Sequence, residues 1–237
     1  MNRFFFAAAA VLVCALDLHA SCGASAPESL VTSLVQQAPD LHSQVLRLAL
    51  DAARCAVDRG LVKRRELLTV IDYSVSSSTP RLFVFDLVAR KLLFRELVAH
   101  GKNSGGDMAS YFSNDPGSLA SSLGLFVSED TYVGHNGYSL RLRGLEEGVN
   151  DMASDRAVVL HGAYYVSSEA VRVLGRLGRS WGCPAVRAEV AHKLIDTIRG
   201  GSVIFAYYPE KSWLENSLFL QHNATTASAT TMAAARR

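Results

Sequence analysis

The hydrophobic pattern changes period near residue 66. Between residues 29 and 60, Leu41, Val45, Leu48, Ala49, Ala52 and Ala56 recur at helical spacing, and Gly60 stands as a stop. This predicts helix packed on one side of a sheet, with Asp40 as N-cap of its second part. Cys55 falls on the apolar stripe as a small buried residue. From residue 67 onward, short apolar and β-branched runs are divided by Gly, Ser, Asn and Asp. Runs at 67–73, 81–87, 91–100, 122–130, 139–143, 157–161 and 202–208 read as strands. The second and third form a hairpin about Ala89-Arg90, and Gly134-His135-Asn136-Gly137 is a turn between the next two. A short helix is expected over residues 189–199, stopped by Gly200-Gly201. Many short strands with few helices predict a mainly β (α+β) fold, a sandwich or barrel with a packing N-terminal helix.

The first residues follow a different pattern. Arg3 precedes an almost unbroken apolar run over residues 4–16, and small residues offer cuts after Ala20 or Ala26. This reads as an export signal, which sends the protein to the periplasm or cell envelope. Lipid attachment at Cys22 is disfavoured by His19 three positions before it. The expected organisation is a signal over 1–26, a helical segment over 27–65, a catalytic domain over 66–210 and a tail over 211–237. The Ala- and Thr-rich residues 223–237 are expected to be disordered.

Composition narrows the function classes. The formal net charge is +2 and charged residues make up 19% of the 237-residue chain, with no Lys/Arg block, which argues against nucleic-acid binding. No phosphate-cradling glycine loop is present, so no cofactor is expected. His100, His135, His161 and Cys183 match no compact metal-ligand spacing, so no metal is expected either. Of the four cysteines, Cys14 leaves with the signal and Cys22 is exposed to the same fate. Cys55 and Cys183 then remain, which is no disulfide framework. A Cys55–Cys183 bridge would silence a reactive thiol and is not expected.

The reactive thiol is suggested by residues 179–187, Arg-Ser-Trp-Gly-Cys-Pro-Ala-Val-Arg. Cys183 follows a glycine in a loop-like run, and an apolar run upstream ends on His161-Gly162. A thiol on a tight loop and an imidazole at a strand end suit cysteine acyl transfer, against the bland reading of a buried cysteine and a strand-capping histidine. In this reading Cys183 is the nucleophile and His161 the general base and acid. The amides of Gly182 and Cys183 hold the oxyanion, and Gly162 clears space beside the carbonyl. Ser180 either contacts the reacting groups or ties the loop. Asp151, Asp155 or a backbone carbonyl orients the imidazole. The polar, glycine-rich loop after residue 98 brings His100 and Asn103 forward as substrate contacts.

The ordered set His161-Gly162 and Ser180-Trp181-Gly182-Cys183 resembles the L,D-transpeptidase catalytic domain (YkuD-like) family. Further blocks resemble its murein L,D-transpeptidase catalytic domain subfamily: Ile71-Asp72-Tyr73-Ser74, the segment from Val98 to Gly105, Ser113-Asn114, the segment from Ser121 to Gly124, Gly144-Leu145-Glu146 and Asn150-Asp151. The resemblance covers about residues 46–208. It implies an L,D-transpeptidase-type β fold and peptidoglycan stem peptides as partner. The cysteine would take the acyl group of a tetrapeptide stem and pass it to an amine, making 3→3 crosslinks or modifying other envelope amines. Hydrolysis of the same thioester, a different envelope substrate, and a non-catalytic wall-binding module are the alternatives. The pattern departs in one place: better-studied members carry an arginine two after the cysteine and often a histidine between serine and glycine. Here those positions hold Ala185 and Trp181. Arg187 is the alternative cation for substrate carboxylates, with Arg141, Arg143 and Arg156 behind it.

Overall fold

The computed structural model describes Cys22 and residues 25–220. Of the expected signal only Cys22, Ser25 and Ala26 lie within that range, and the expected disordered segment 223–237 lies outside it.

The predicted N-terminal helix is two helices, α1 (Glu28–Val35) and α2 (Ser43–Asp58). Their break follows from residues 36–42, which include Pro39, a residue that cannot donate into a helix. Asp40 does not cap α2; the chain enters at His42 without a side-chain cap, and Asp40 is ion-paired with Arg95 instead. Val45, Leu46, Ala49, Ala52, Ala53 and Ala56 form a continuous buried stripe on α2, which packs on two adjacent strands of the sheet.

The strands are β1 (Leu67–Asp72), β2 (Leu82–Asp86), β3 (Lys91–Glu96), β4 (Val98–Ala99), β5 (Gly124–Gly134), β6 (Gly137–Gly144), β7 (Val159–Ala163), β8 (Ala185–Arg187) and β9 (Val203–Tyr207). They form one mixed sheet in the order β3-β2-β1-β9-β5-β6-β7-β8-β4. Pairs β1–β9 and β7–β8 are parallel and the rest antiparallel. The edge strands β3 and β4 are separated by Leu97 alone, so the two ends of the sheet come together and it curls nearly closed. The fold is mainly β with α+β character. The seam is fastened by polar groups. The Arg81 amide extends the β2–β3 ladder by donating to the Glu96 carbonyl at 3.0 Å, and its buried side chain reaches β4 at the other end of the sheet, donating to the Val98 carbonyl at 2.9 Å.

Both expected hairpins form. Arg90 takes the left-handed conformation that closes the β2–β3 turn, and Gly137 does so after the two-residue β5–β6 turn. Two elements that the pattern hides are α3 (Ser168–Leu174), with no buried residue, and α5 (Lys211–Asn216). Helix α4 (Ala188–Ile198) is the expected one. The start of the expected tail is packed: Trp213 is 4% exposed, lies against Phe205 and Tyr207, and donates to the buried Glu146 at 3.0 Å.

A second correction concerns the cysteines. Cys22 and Cys55 form a disulfide across 33 residues. Cys55 is therefore a crosslink to the segment that precedes α1, not only an apolar filler. Closing a loop of that length stabilises a fold by about 3–4 kcal/mol in the chain-entropy account. The double variant Cys22→Ser, Cys55→Ser is expected to lose that order of stability in a denaturant titration.

Candidate active site

Strand β7 lies between β6 and β8, and its register positions the site. His161 pairs with Ser139 on one side and with Ala185 on the other. The chain entering β8 runs alongside β7: the His161 amide donates to the Pro184 carbonyl at 3.4 Å, and Cys183, one residue earlier, comes beside Val159. The Val159 amide donates to the Cys183 sulfur at 3.5 Å, and the thiol donates to the Ala157 carbonyl at 3.7 Å. The residues from Ala157 to Val159 thus form the back wall of the sulfur. Cys183 is half-buried and is the one free cysteine among the described residues.

The imidazole is oriented by the backbone. His161 is buried, and its Nδ1 lies 3.0 Å from the carbonyl of Gly162. A carbonyl only accepts, so Nδ1 carries the proton and Nε2 is left with the lone pair. Neither aspartate does this work. Asp151 accepts from Asn114 and from the Gly148 amide, and Asp155 is exposed. Burial lowers the His161 pKa, opposed by the Gly162 bond. Burial raises the Cys183 pKa, opposed by the Val159 amide and the charge of Arg156. Both effects favour a resting pair of neutral thiol and neutral imidazole.

The cysteine loop is tied to itself. Ser180 Oγ donates to the Cys183 carbonyl at 2.6 Å and accepts from the Gly182 amide at 3.1 Å. Ser180 is therefore the loop-tying hydroxyl, and the Gly182 amide is not a free oxyanion donor. The Cys183 amide faces its own sulfur, at the reacting atom, and is the remaining donor for that role. Gly182 has φ of +123°, and a Cβ there would meet the Ala120 carbonyl at 2.8 Å, so only glycine fits.

Four expected substrate contacts are otherwise engaged. His100 is 1% exposed and its Nδ1 accepts from Arg81 at 2.7 Å. Burial and the Arg81 charge lower its pKa to about 4, so it is a neutral strut. Asn103 is exposed but donates to the Ser118 carbonyl at 2.8 Å, bracing two loops. Arg187 forms a two-bond pair with Glu96 at 2.8 and 2.9 Å. Its charge fastens β8 to β3 across the barrel seam. Gly162 does not clear space for substrate: a Cβ there would meet Ala191 Cβ at 2.8 Å and Ala188 Cα at 3.2 Å. It is glycine so that α4 can lie close on β7. Gly162→Ala is expected to cost about 1–3 kcal/mol by overpacking, read as a lowered Tm.

The sequence model of the L,D-transpeptidase catalytic domain matches residues 37–207, well over half of the chain. The chain belongs to the L,D-transpeptidase catalytic domain family. The solved structures that it matches include an L,D-transpeptidase from Mycobacterium smegmatis, at 16% identity over 60% of this chain and 59% of that one, with a TM-score of 0.38. Another is the helical cell shape determining protein Pgp2 from Campylobacter jejuni, at 12% identity over 61% and 48%, with a TM-score of 0.40. A third is an L,D-transpeptidase fragment from Xylanimonas cellulosilytica, at 15% identity over 78% and 95%, with a TM-score of 0.34. The chain spans about three fifths of the length of the first of these. No curated protein matches it.

Within this L,D-transpeptidase domain, Trp181 is 76% exposed and stands two residues from the thiol. It is a free apolar surface beside Cys183, where the family pattern often has a histidine. Ala185, in the place of the family arginine, is fully buried in β8 and meets no solvent. Arg141 lies over the Tyr132 ring and Arg143 pairs with Glu129. Ser121 was not singled out as a site residue from the sequence. It is 1% exposed, donates to the Gly182 carbonyl at 3.0 Å and accepts from the Gly101 amide at 3.0 Å. Its signal in the sequence is its place at the head of the Ser121–Gly124 block that resembles the subfamily, which says nothing of what its hydroxyl touches.

Proposed function

We propose that the protein is an exported cysteine acyltransferase, an L,D-transpeptidase acting on peptidoglycan tetrapeptide stems. The observation that carries this reading is the β7–β8 register, which pairs His161 with Ala185 and so brings Cys183, two residues before Ala185, to the β7 backbone at Val159, with the imidazole proton held on Nδ1 by Gly162. Family membership supports the substrate class. A Cys22–Cys55 disulfide is typical of an oxidising compartment and supports export. It also engages the sulfur that a lipid anchor would need.

The chemistry follows from the groups present. The Cys183 sulfur attacks the carbonyl of the third stem residue while His161 Nε2 takes the thiol proton. The Cys183 amide donates to the developing oxyanion. The carbon–nitrogen bond breaks, His161 returns the proton to the leaving D-alanine amine, and a thioester remains. An amine of a second stem attacks it, His161 accepts the amine proton, and the thiolate leaves and is reprotonated. The exposed Trp181 offers a flat apolar contact for the stem beside the reacting atoms.

Intact mass after incubation with a tetrapeptide-stem disaccharide tests the reading. The expected result is an adduct equal to the stem minus D-alanine, and crosslinked or amine-modified product when an amine is supplied. A released tripeptide stem under all conditions would make the protein a carboxypeptidase. Neither adduct nor product would remove peptidoglycan stems as the substrate.

A further inference from the structure

Arg156 sits immediately before the arc that cradles the sulfur, and its guanidinium is fully occupied on one side. Nη1 donates to the Ser113 carbonyl and to Ser122 Oγ, each at 2.6 Å. Nη2 donates to Ser118 Oγ at 3.0 Å and to the Ala120 carbonyl at 2.6 Å. All four acceptors belong to the loop between residues 112 and 122, and none is a carboxylate. Among the described residues no acidic group lies within ion-pair distance of Arg156. The guanidinium also abuts the cysteine loop, since a Cβ at Gly182 would stand 3.5 Å from Nη2. The following residue, Ala157, is non-glycine yet has φ of +53°. That left-handed turn aims its carbonyl at the thiol.

We propose that Arg156 is the electrostatic positioning residue of the site: it supplies the fixed positive charge that favours the Cys183 thiolate, and it locks the 112–122 loop under the cysteine loop. The role resting on thiol chemistry follows from the proposed function above, but the charge effect on the thiol is independent of the substrate. A guanidinium remains charged at any working pH. Its four occupied N–H groups leave Nε alone for anything else, so it does not act as a clamp for substrate carboxylates.

The other titratable and charged groups around the sulfur do not replace it. They are His161 on β7, Tyr73 at the end of β1 and Tyr165 after β7. Asp115, exposed in the 112–122 loop, faces Arg156. Burial pushes both tyrosines up to about 12, so they stay neutral through the thiol's range. His161 is held neutral by its own burial. Arg156 is thus the persistent charge among them that acts on the thiol, and its interaction opposes the effect of burial on Cys183.

The test is alkylation of Cys183 by iodoacetamide from pH 6 to 10 in the full chain, read by mass, for the parent, Arg156→Gln and Arg156→Lys, with Tm recorded for each. Arg156→Gln is expected to move the alkylation profile to higher pH and to slow the reaction at pH 7 by about three- to tenfold, one pKa unit being tenfold. Arg156→Lys, which keeps the charge but not the fork, is expected to restore most of that rate at a lowered Tm. A folded Arg156→Gln whose profile overlays the parent's overturns the proposal, as does a folded Arg156→Lys that behaves like Arg156→Gln. Should Arg156→Gln not fold, the parent decides alone. The rate ratio of anionic iodoacetate to neutral iodoacetamide at Cys183 is expected to exceed that of free cysteine. A ratio equal to or below it overturns the proposal.

Discussion

Cys183→Ala is expected to fold like the parent and to lose at least about 10⁴-fold in turnover, with no covalent adduct on any stem peptide. The two halves of this expectation have separate origins. The fold is retained because the loop does not depend on the sulfur. Ser180 Oγ bonds the Cys183 carbonyl and the Gly182 amide, and Ser121 bonds the Gly182 carbonyl. The sulfur itself makes two long contacts, to Ala157 and Val159, whose loss costs little. Turnover is lost because the only other described cysteines, Cys22 and Cys55, are bonded to each other. Ser180 cannot substitute, since its hydroxyl is buried and engaged. Thermal melts of the two proteins should therefore overlay within a few degrees while the intact-mass adduct disappears. An adduct persisting on Cys183→Ala would mean that the acyl group rests elsewhere and would end the nucleophile assignment.

The strand framework was legible because most strands are short apolar runs bounded by residues with a conformational job. Arg90 and Gly137, both at positive φ, close the turns that the pattern marked. Strand β8 was not legible, since three residues carry no period, and β4 was legible only as the end of the 91–100 run, which the structure divides at Leu97. Strand β8 forms because β7 offers a parallel edge, and β4 closes against β8. The reacting pair was legible for a local reason, a thiol after glycine and an imidazole at a strand end. The supporting residues were not, because what each touches lies far along the chain. Arg187 and Glu96 are 91 residues apart. Gly162 is explained only by Ala188 and Ala191. His100 looked like a groove residue until the buried Arg81 claimed its Nδ1. The disulfide was hidden by the position of Cys22 among candidate cleavage sites, where spacing does not tell a retained residue from a removed one.

The pH dependence separates two ways of running a cysteine–histidine pair. In a preformed ion pair the thiolate exists at rest, and alkylation stays fast well below neutral pH. Here burial lowers the His161 pKa and raises that of Cys183, so proton transfer from sulfur to Nε2 is uphill at rest and is completed only with substrate in place. The sign follows directly: a histidine held below its ordinary value stays neutral to lower pH than a free imidazole does. A thiol held above its ordinary value stays protonated as pH rises through 8. Alkylation of Cys183 is therefore expected to climb about tenfold per pH unit from 6 to 8 with no acid plateau, following the thiolate fraction. His161→Gln is expected to leave that profile nearly in place, because the imidazole carries no charge for the thiol to lose. The same variant should lower turnover on a stem substrate by about 10²–10⁴-fold, the usual contribution of a general base. The combination is diagnostic: a base that acts only during the reaction moves turnover and not resting thiol reactivity. An alkylation plateau extending below pH 6 in the parent, abolished in His161→Gln, would establish the ion pair instead.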